Sequence, residues 1–205
     1  FQCVEQTDDK LVFLQTENED TLLHYPYRYE LYITFSLDGN RLTVTHTVKN
    51  TNDCMMYFSL GAHPAFNCAV GDKLVFEKPE TLISERIDHD SVITGEKDLI
   101  SENSDTLTIT EYLFDKDALI FEGVQSKSVT LNCEESRTKV HFTFGDVPFL
   151  AIWAKPNAPY VCIEPWHGIN DSYEKVEDFS KKRGIETLPA GESFSFCWSA
   201  DFSEE

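Results

Sequence analysis

The sequence has no C-x-x-C pair and no Cys/His cluster at zinc spacing, which argues against a structural metal. No run of Lys or Arg marks an anionic membrane surface, and no stretch approaches the ~18 apolar residues that a membrane span needs. The phosphate-binding pattern G-x-x-x-x-G-K-[ST], the dinucleotide pattern G-x-G-x-x-G and the nucleophile elbow G-x-S-x-G are all absent. Positive charge is scarce. Only 17 Lys and Arg stand against 36 Asp and Glu, a net charge of −19, so nucleic acid is a poor candidate partner. Helical periodicity is scarce too, and no internal repeat, low-complexity tract or linker interrupts the chain.

What is abundant is aromatic. Phe, Tyr and Trp make up 13% of the 205 residues, with 15 Phe, 8 Tyr and 3 Trp. Aromatic and β-branched residues favour strands, so the composition leans towards an all-β architecture. It leans weakly towards a carbohydrate site as well, because aromatic faces suit the C–H patches of a sugar ring; filling the core explains most of them. Six cysteines lie mostly within apolar runs such as Val161-Cys162-Ile163 and Phe196-Cys197-Trp198, and are read as reduced, buried and cytosolic. One glycosylation sequon, Asn170-Asp171-Ser172, has no other sign of secretion beside it. The chain opens at Phe1 without Met, directly in strand-like sequence, which leads us to expect a fragment lacking its N-terminus.

Strand signals recur along the chain. Lys10–Thr16 is β-rich, and Tyr29–Phe35 and Leu42–Val48 alternate polar and apolar residues around Asp38-Gly39, a strong hairpin signal. Further strands are expected at Met55–Leu60, Leu74–Phe76, Leu107–Ile109, Ala118–Phe121, Ser128–Asn132, Lys139–Phe144, Phe149–Trp153, Tyr160–Ile163 and Ser193–Phe202. One short helix is expected over Asp20–Tyr25 with Asp20 as N-cap, and Ser172–Phe179 reads as a helical turn or a loop. Many strands with almost no helix between them mean one antiparallel sandwich or barrel domain over residues 1–205.

Two segments break this strand grammar. In Ser59-Leu-Gly-Ala-His63-Pro-Ala-Phe66-Asn67-Cys68 a strand ends in Gly61, and His63 is held extended by the following Pro64. Such a His has a fixed direction, as a proton donor requires; a hydrogen-bonded loop His is the equal alternative. In Tyr160-Val-Cys-Ile-Glu164-Pro165-Trp166-His167-Gly168 an apolar run ends abruptly in a carboxylate. Burial there raises the pKa of Glu164 towards a useful range unless the residue is merely an ion-paired strand end. Asp117, before the apolar run Ala118–Phe121, is a weaker candidate, and pattern alone does not separate it from Asp115 on the same side of a strand. His63 and His167 could in principle share a metal, though nothing else clusters with them.

"SLGAHPAFN", followed about a hundred residues later by "CIEPWHGIND", resembles the aldose 1-epimerase (galactose mutarotase) superfamily, in its LacX-like branch. "DALIF" and "IWAKPNAPYVCIEPW" between them fit the same branch, and the resemblance runs along essentially the whole chain. It implies an antiparallel β-supersandwich that interconverts the α and β anomers of an aldose. By position, His63 corresponds to the general acid on the ring oxygen and Glu164 to the general base on the anomeric hydroxyl. Asp117 corresponds to an acidic residue that holds sugar hydroxyls, and Phe66, Asn67 and Trp166 are placed around the pocket by proximity. No metal or organic cofactor is implied. The family carries an additional N-terminal part of the sandwich with a sugar-contacting Arg and His, and this sequence begins after it, so the chain is expected to be the C-terminal part of a longer sandwich.

The partner so implied is a small sugar, a hexose or hexose 6-phosphate. The free sugar is favoured because Arg28, Arg41, Arg86, Arg137 and Arg183 are scattered. A cytoplasmic monomer or homodimer is expected. Two other readings compete: a carbohydrate-binding or sensing protein that lost turnover, and a glycoside hydrolase using Asp117 and Glu164 as its carboxylate pair.

Overall fold

The structure, a computed structural model, describes residues 1–156 and 158–204. In chain order its strands are β1 (Gln2–Gln6), β2 (Lys10–Thr16), β3 (Tyr29–Asp38), β4 (Arg41–Asn50), β5 (Met56–Phe58), β6 (Leu60–Gly61), β7 (Ala65–Asn67) and β8 (Lys73–Ile87). There follow β9 (Ile93–Thr108), β10 (Leu119–Glu122), β11 (Ser128–Cys133), β12 (Thr138–Thr143), β13 (Phe149–Trp153), β14 (Tyr160–His167), β15 (Glu186–Leu188) and β16 (Ser193–Glu204). One α-helix, α1 (Glu19–His24), and one 3-10 turn, Phe179–Lys181, are the helices among the described residues. Every pairing between the named strands given below is antiparallel. The fold is all-β, and among the described residues no helix is long and apolar enough to cross a membrane.

The chain divides into two compact units. The first, residues 1–58 and 186–201, orders its strands β1-β2-β3-β4-β16, with β15 paired to β5 beside them. Alternation decides which face of β4 is buried. Val44, His46, Val48 and Asn50 point inward, and across the ladder Trp198, Phe196 and Phe194 of β16 lie opposite the first three. His46 stacks flat on Phe196, and burial pushes its pKa down to about 4, so it sits in this core as a neutral ring. The expected β3–β4 hairpin is present, with Gly39-Asn40 as its two-residue loop and Asp38 opposite Arg41.

Two expectations need correction here. The α1 cap is Asn18, not Asp20: its side chain accepts from Thr21 N at 2.8 Å while Thr21 Oγ1 accepts from Asn18 N at 2.8 Å. This reciprocal capping box satisfies two backbone donors, which Asp20 could not do from inside the first turn. The cysteines are only half buried as a set. Cys68, Cys133 and Cys162 are buried, but Cys3, Cys54 and Cys197 are exposed. Cys197 sits opposite Thr45 on the outer face of β16, between inward Phe196 and Trp198; period two overrides the apolar neighbours.

The second unit, residues 59–185 and 202–205, orders its strands β12-β11-β8-β10-β13-β14-β6. The 15-residue strand β8 holds it together. Its start pairs with β11 (Leu74 opposite Leu131), its end with β10 (Glu85 opposite Ile120), and its other edge runs along β9. Register shifts along β8–β9 mark bulges, which bend the long hairpin around Pro79. The buried Glu80 carboxylate takes donors there from Ser126 N, Ser126 Oγ and Gln125 N. β13 is paired on both edges, by β10 and β14, and Phe149, Leu150, Ala151 and Ile152 are all buried, so both of its faces are covered and Phe-Leu-Ala-Ile-Trp reads as one apolar run. Residues 172–178 form a loop leading into the 3-10 turn, not a helix.

Candidate functional site

β14 carries two faces. Tyr160, Cys162, Glu164 and Trp166 point one way; Val161, Ile163, Pro165 and His167 point the other. Its edge is covered by two short strands, β6 and β7, in one continuous register, with Trp166 opposite Gly61 and Cys162 opposite Ala65. The same register carries through the interruption between them and sets His63 opposite Glu164. Backbone bonds on either side hold it there: Ala62 N donates to Pro165 O at 3.0 Å, and Ile163 N donates to Pro64 O at 3.2 Å. Proline at 64 and the break between two strands of two and three residues let the His63 side chain stand clear of the sheet.

The two side chains meet. His63 Nε2 lies 3.4 Å from Glu164 Oε1, with the imidazole 60% exposed and the carboxylate 4% exposed. Burial pushes the Glu164 pKa up to about 7, partly opposed by a hydrogen bond from the Trp166 indole. The His63 ring packs edge-on against Trp153, 6.1 Å between centroids, and Trp153 lies opposite Cys162. On the other side Trp166 crosses Gly61 so closely that a Cβ there would sit 2.7 Å from Trp166 Cδ1. The imidazole–carboxylate pair thus stands between two indoles, one member open to solvent and the other withdrawn from it.

Cross-strand pairing also builds the floor. Glu164, Ala151, Ile120 and Glu85 form one row across β14, β13, β10 and β8. Ile120 and Ala151 of that row join Phe149, Ile87, Ile93 and Ile169 in one apolar cluster, with Trp166 packed against it. Arg183 closes the far side. It donates to Glu85 Oε1 at 2.7 Å and Glu122 Oε2 at 2.5 Å, and it lies 5.6 Å over the Phe149 ring. An adjoining cavity of about 970 Å³ shares Glu85 and Arg183 with this floor, and His63 and Glu164 lie outside its lining.

Burial by itself would raise the Glu85 pKa, but hydrogen bonds from Lys97 and Arg183 outweigh it and hold the carboxylate below its usual range. Arg183→Met leaves this 3%-exposed carboxylate with Lys97 as its remaining cation. The expected loss is about 1–3 kcal/mol, reduced from a fully buried pair because Arg183 is half exposed. Urea titration at pH 7 measures it. The deficit shrinks as pH falls through the lowered native pKa of Glu85, because the paired charge stabilises only above the unfolded value.

The remaining expected site residues are not gathered equally. Asn67 lies on the Glu164 face opposite Tyr160, four residues along β14 and so roughly 13 Å away. Phe66, opposite Val161, points to the other face, where it is buried against Phe142 and Phe202; it is a core residue and stands apart from the pocket. His167 shares that opposite face, so His63 and His167 do not converge. Asp117 is exposed in a turn rather than on a strand, so it does not share a strand face with Asp115. Its φ of +77 is unusual for a side-chain-bearing residue, and Oδ1 accepts from Ala118 N at 2.8 Å. Ser91, Asn103 and Arg137 share a positive φ, so the conformation fits a turn residue and does not single Asp117 out. Sequence reasoning passed over Trp153, Cys162 and Arg183. Cys162 was findable as the residue two before Glu164, but nothing in the sequence pointed to Arg183.

Comparison with known proteins agrees with this geometry. The aldose 1-epimerase family model matches residues 1–180. Protein LacX of Lactococcus lactis subsp. lactis, in its plasmid form, is 32% identical over 187 residues, covering 85% of this chain. The chain spans 62% of that protein's length. A galactose mutarotase related enzyme from Lactobacillus acidophilus superposes with a TM-score of 0.91 at 28% identity, covering 100% of this chain and 71% of that one. A galactose mutarotase-like protein from Lactobacillus casei ATCC 334 gives 0.91 at 27% identity, with 99% and 73% coverage. With strand order, paired motifs and family match in agreement, the chain belongs to the aldose 1-epimerase family, in its LacX-like branch.

Proposed function

We propose that this chain interconverts the α and β anomers of a free hexose, with Glu164 as base and His63 as acid. The observation that carries the reading is the 3.4 Å pair itself, a buried carboxylate titrating near neutrality beside an exposed imidazole. Glu164 takes the proton from the anomeric hydroxyl as the imidazolium of His63 gives one to the ring oxygen. The C1–O5 bond breaks, C1 becomes an aldehyde carbon, and rotation about C1–C2 turns its other face inward. Closure returns both protons by the same routes, so acid and base exchange roles within each turnover. On this reading Trp153 and Trp166 offer apolar faces for the ring, and the family resemblance assigns Asp117 to the sugar hydroxyls. The free sugar is favoured over a phosphate because Arg28, Arg41, Arg86 and Arg183 each already face a carboxylate.

Polarimetry on freshly dissolved α-D-glucose and α-D-galactose tests the reading: optical rotation decays faster with the protein than in buffer, and equal rates overturn it. The pH profile is a separate prediction. Glu164 must be ionised to accept a proton, so kcat/KM falls about tenfold per pH unit below a bend near 7. A bend at the usual glutamate value would show that the base does not have the raised pKa of a buried carboxylate.

A further inference from the structure

We propose that His63 Nε2, Cys162 Sγ and a Glu164 carboxylate oxygen bind one zinc-class divalent cation, making the sugar site a metal-blocked site as well. The three ligand atoms all lie within 4.8 Å of one another. The spacing follows from the sheet: Cys162 and Glu164 are two apart on one face of β14, and the shared register brings His63 across to Glu164. Bonds of ~2.0–2.1 Å in a tetrahedral site put neighbouring N and O ligands about 3.4 Å apart. The observed His63–Glu164 separation is 3.4 Å, so those two ligands need no rearrangement. One imidazole, one thiolate and one carboxylate make a three-ligand set that leaves a fourth position open, here towards solvent on the exposed His63 side, which is also the entry path.

The ligand types choose the metal. A sulfur and a nitrogen donor favour zinc, cobalt or cadmium over magnesium or calcium, which prefer oxygen-only shells. The metal replaces the thiol proton, which leaves to solvent, and its charge offsets two anionic ligands in a buried setting. Once bound, the metal occupies the Glu164 lone pair and the His63 nitrogen, so the proton transfers of mutarotation stop. That consequence rests on the proposed function; the binding itself does not.

Cobalt(II) titration followed by absorbance tests the binding alone. The intact chain is expected to give visible bands of tetrahedral intensity together with a near-ultraviolet sulfur-to-cobalt charge-transfer band, both displaced by zinc and removed by chelator. Cys162→Ser abolishes the charge-transfer band, and His63→Ala, at an exposed position, weakens cobalt binding more than about tenfold. Circular dichroism confirms that both variants keep their strands. No charge-transfer band with the intact chain, or the same band in Cys162→Ser, overturns the proposal. A mutarotation rate that fails to exceed buffer would sink the proposed function and leave the cobalt result standing.

Discussion

Glu164→Gln lowers the rate of mutarotation by about 10²–10⁴ while leaving the fold intact and more stable than the parent. The amide fills the same volume and its oxygen still accepts from the Trp166 indole, but it cannot take a proton from the anomeric hydroxyl. The stability gain follows from linkage. The native pKa of Glu164 is raised from the usual 4.5 to about 7, so the folded state binds the proton more tightly than the unfolded chain. Its burial therefore costs nothing below pH ~4.5, and the penalty grows as pH rises and is complete above about 7, at most about 3 kcal/mol. Denaturant midpoints of parent and variant should coincide near pH 4 and diverge at pH 8, with the variant higher. A carbohydrate-binding protein without turnover would show the same stability shift and no rate to lose. Unchanged rotation decay in the variant would remove Glu164 from the mechanism.

Gly168→Ala lowers stability by about 3 kcal/mol or more, and the cause lies where β14 leaves the site. Gly168 has a φ of +137, a conformation that side-chain-bearing residues rarely adopt. A Cβ there would also sit 2.5 Å from Ser59 Cβ and 3.3 Å from Ser59 Cα. Ser59 begins the segment that places His63, so relief of the clash moves β6 against β14 and disturbs the His63–Glu164 register. Pairing Gly168→Ala with Ser59→Gly separates the two contributions. The double variant recovers the part due to the Ser59 side chain and keeps the backbone part. Full recovery would mean that the φ is not strained, and no loss in the single variant would show that the strand end adapts freely. Mutarotation of the single variant is expected to fall along with its stability.

The strands with period-two or continuous apolar patterns were legible in the sequence: β2, β3, β4, β11, β13 and most of β16 were expected close to where they lie. The hairpin β8–β9 was not. Its segments from Glu77 to Asp105 are rich in Ser, Glu, Lys and Thr, and both strands exist because 15 and 16 residues pair along one edge with bulges that break any alternation. β15 and β7 were missed for a related reason, since three residues carry no period and are fixed only by the partners β5 and β14.

At the site, the sequence by itself determined the residue types and the ends of the segments that carry them: a His held extended by proline, and a carboxylate ending an apolar strand. The resemblance to a family joined the two. Only the tertiary structure decided which side chains meet, because a strand residue's face depends on its register with a partner about a hundred positions away. That register separated Phe66, turned into the core, from His63, turned onto Glu164; it also brought Cys162 beside both and Arg183 over Phe149. It decided the charge state as well. Glutamate titrates near 4.5 in water, and only the packing of β14 beneath His63 and the two indoles removes enough water to bring Glu164 to about 7.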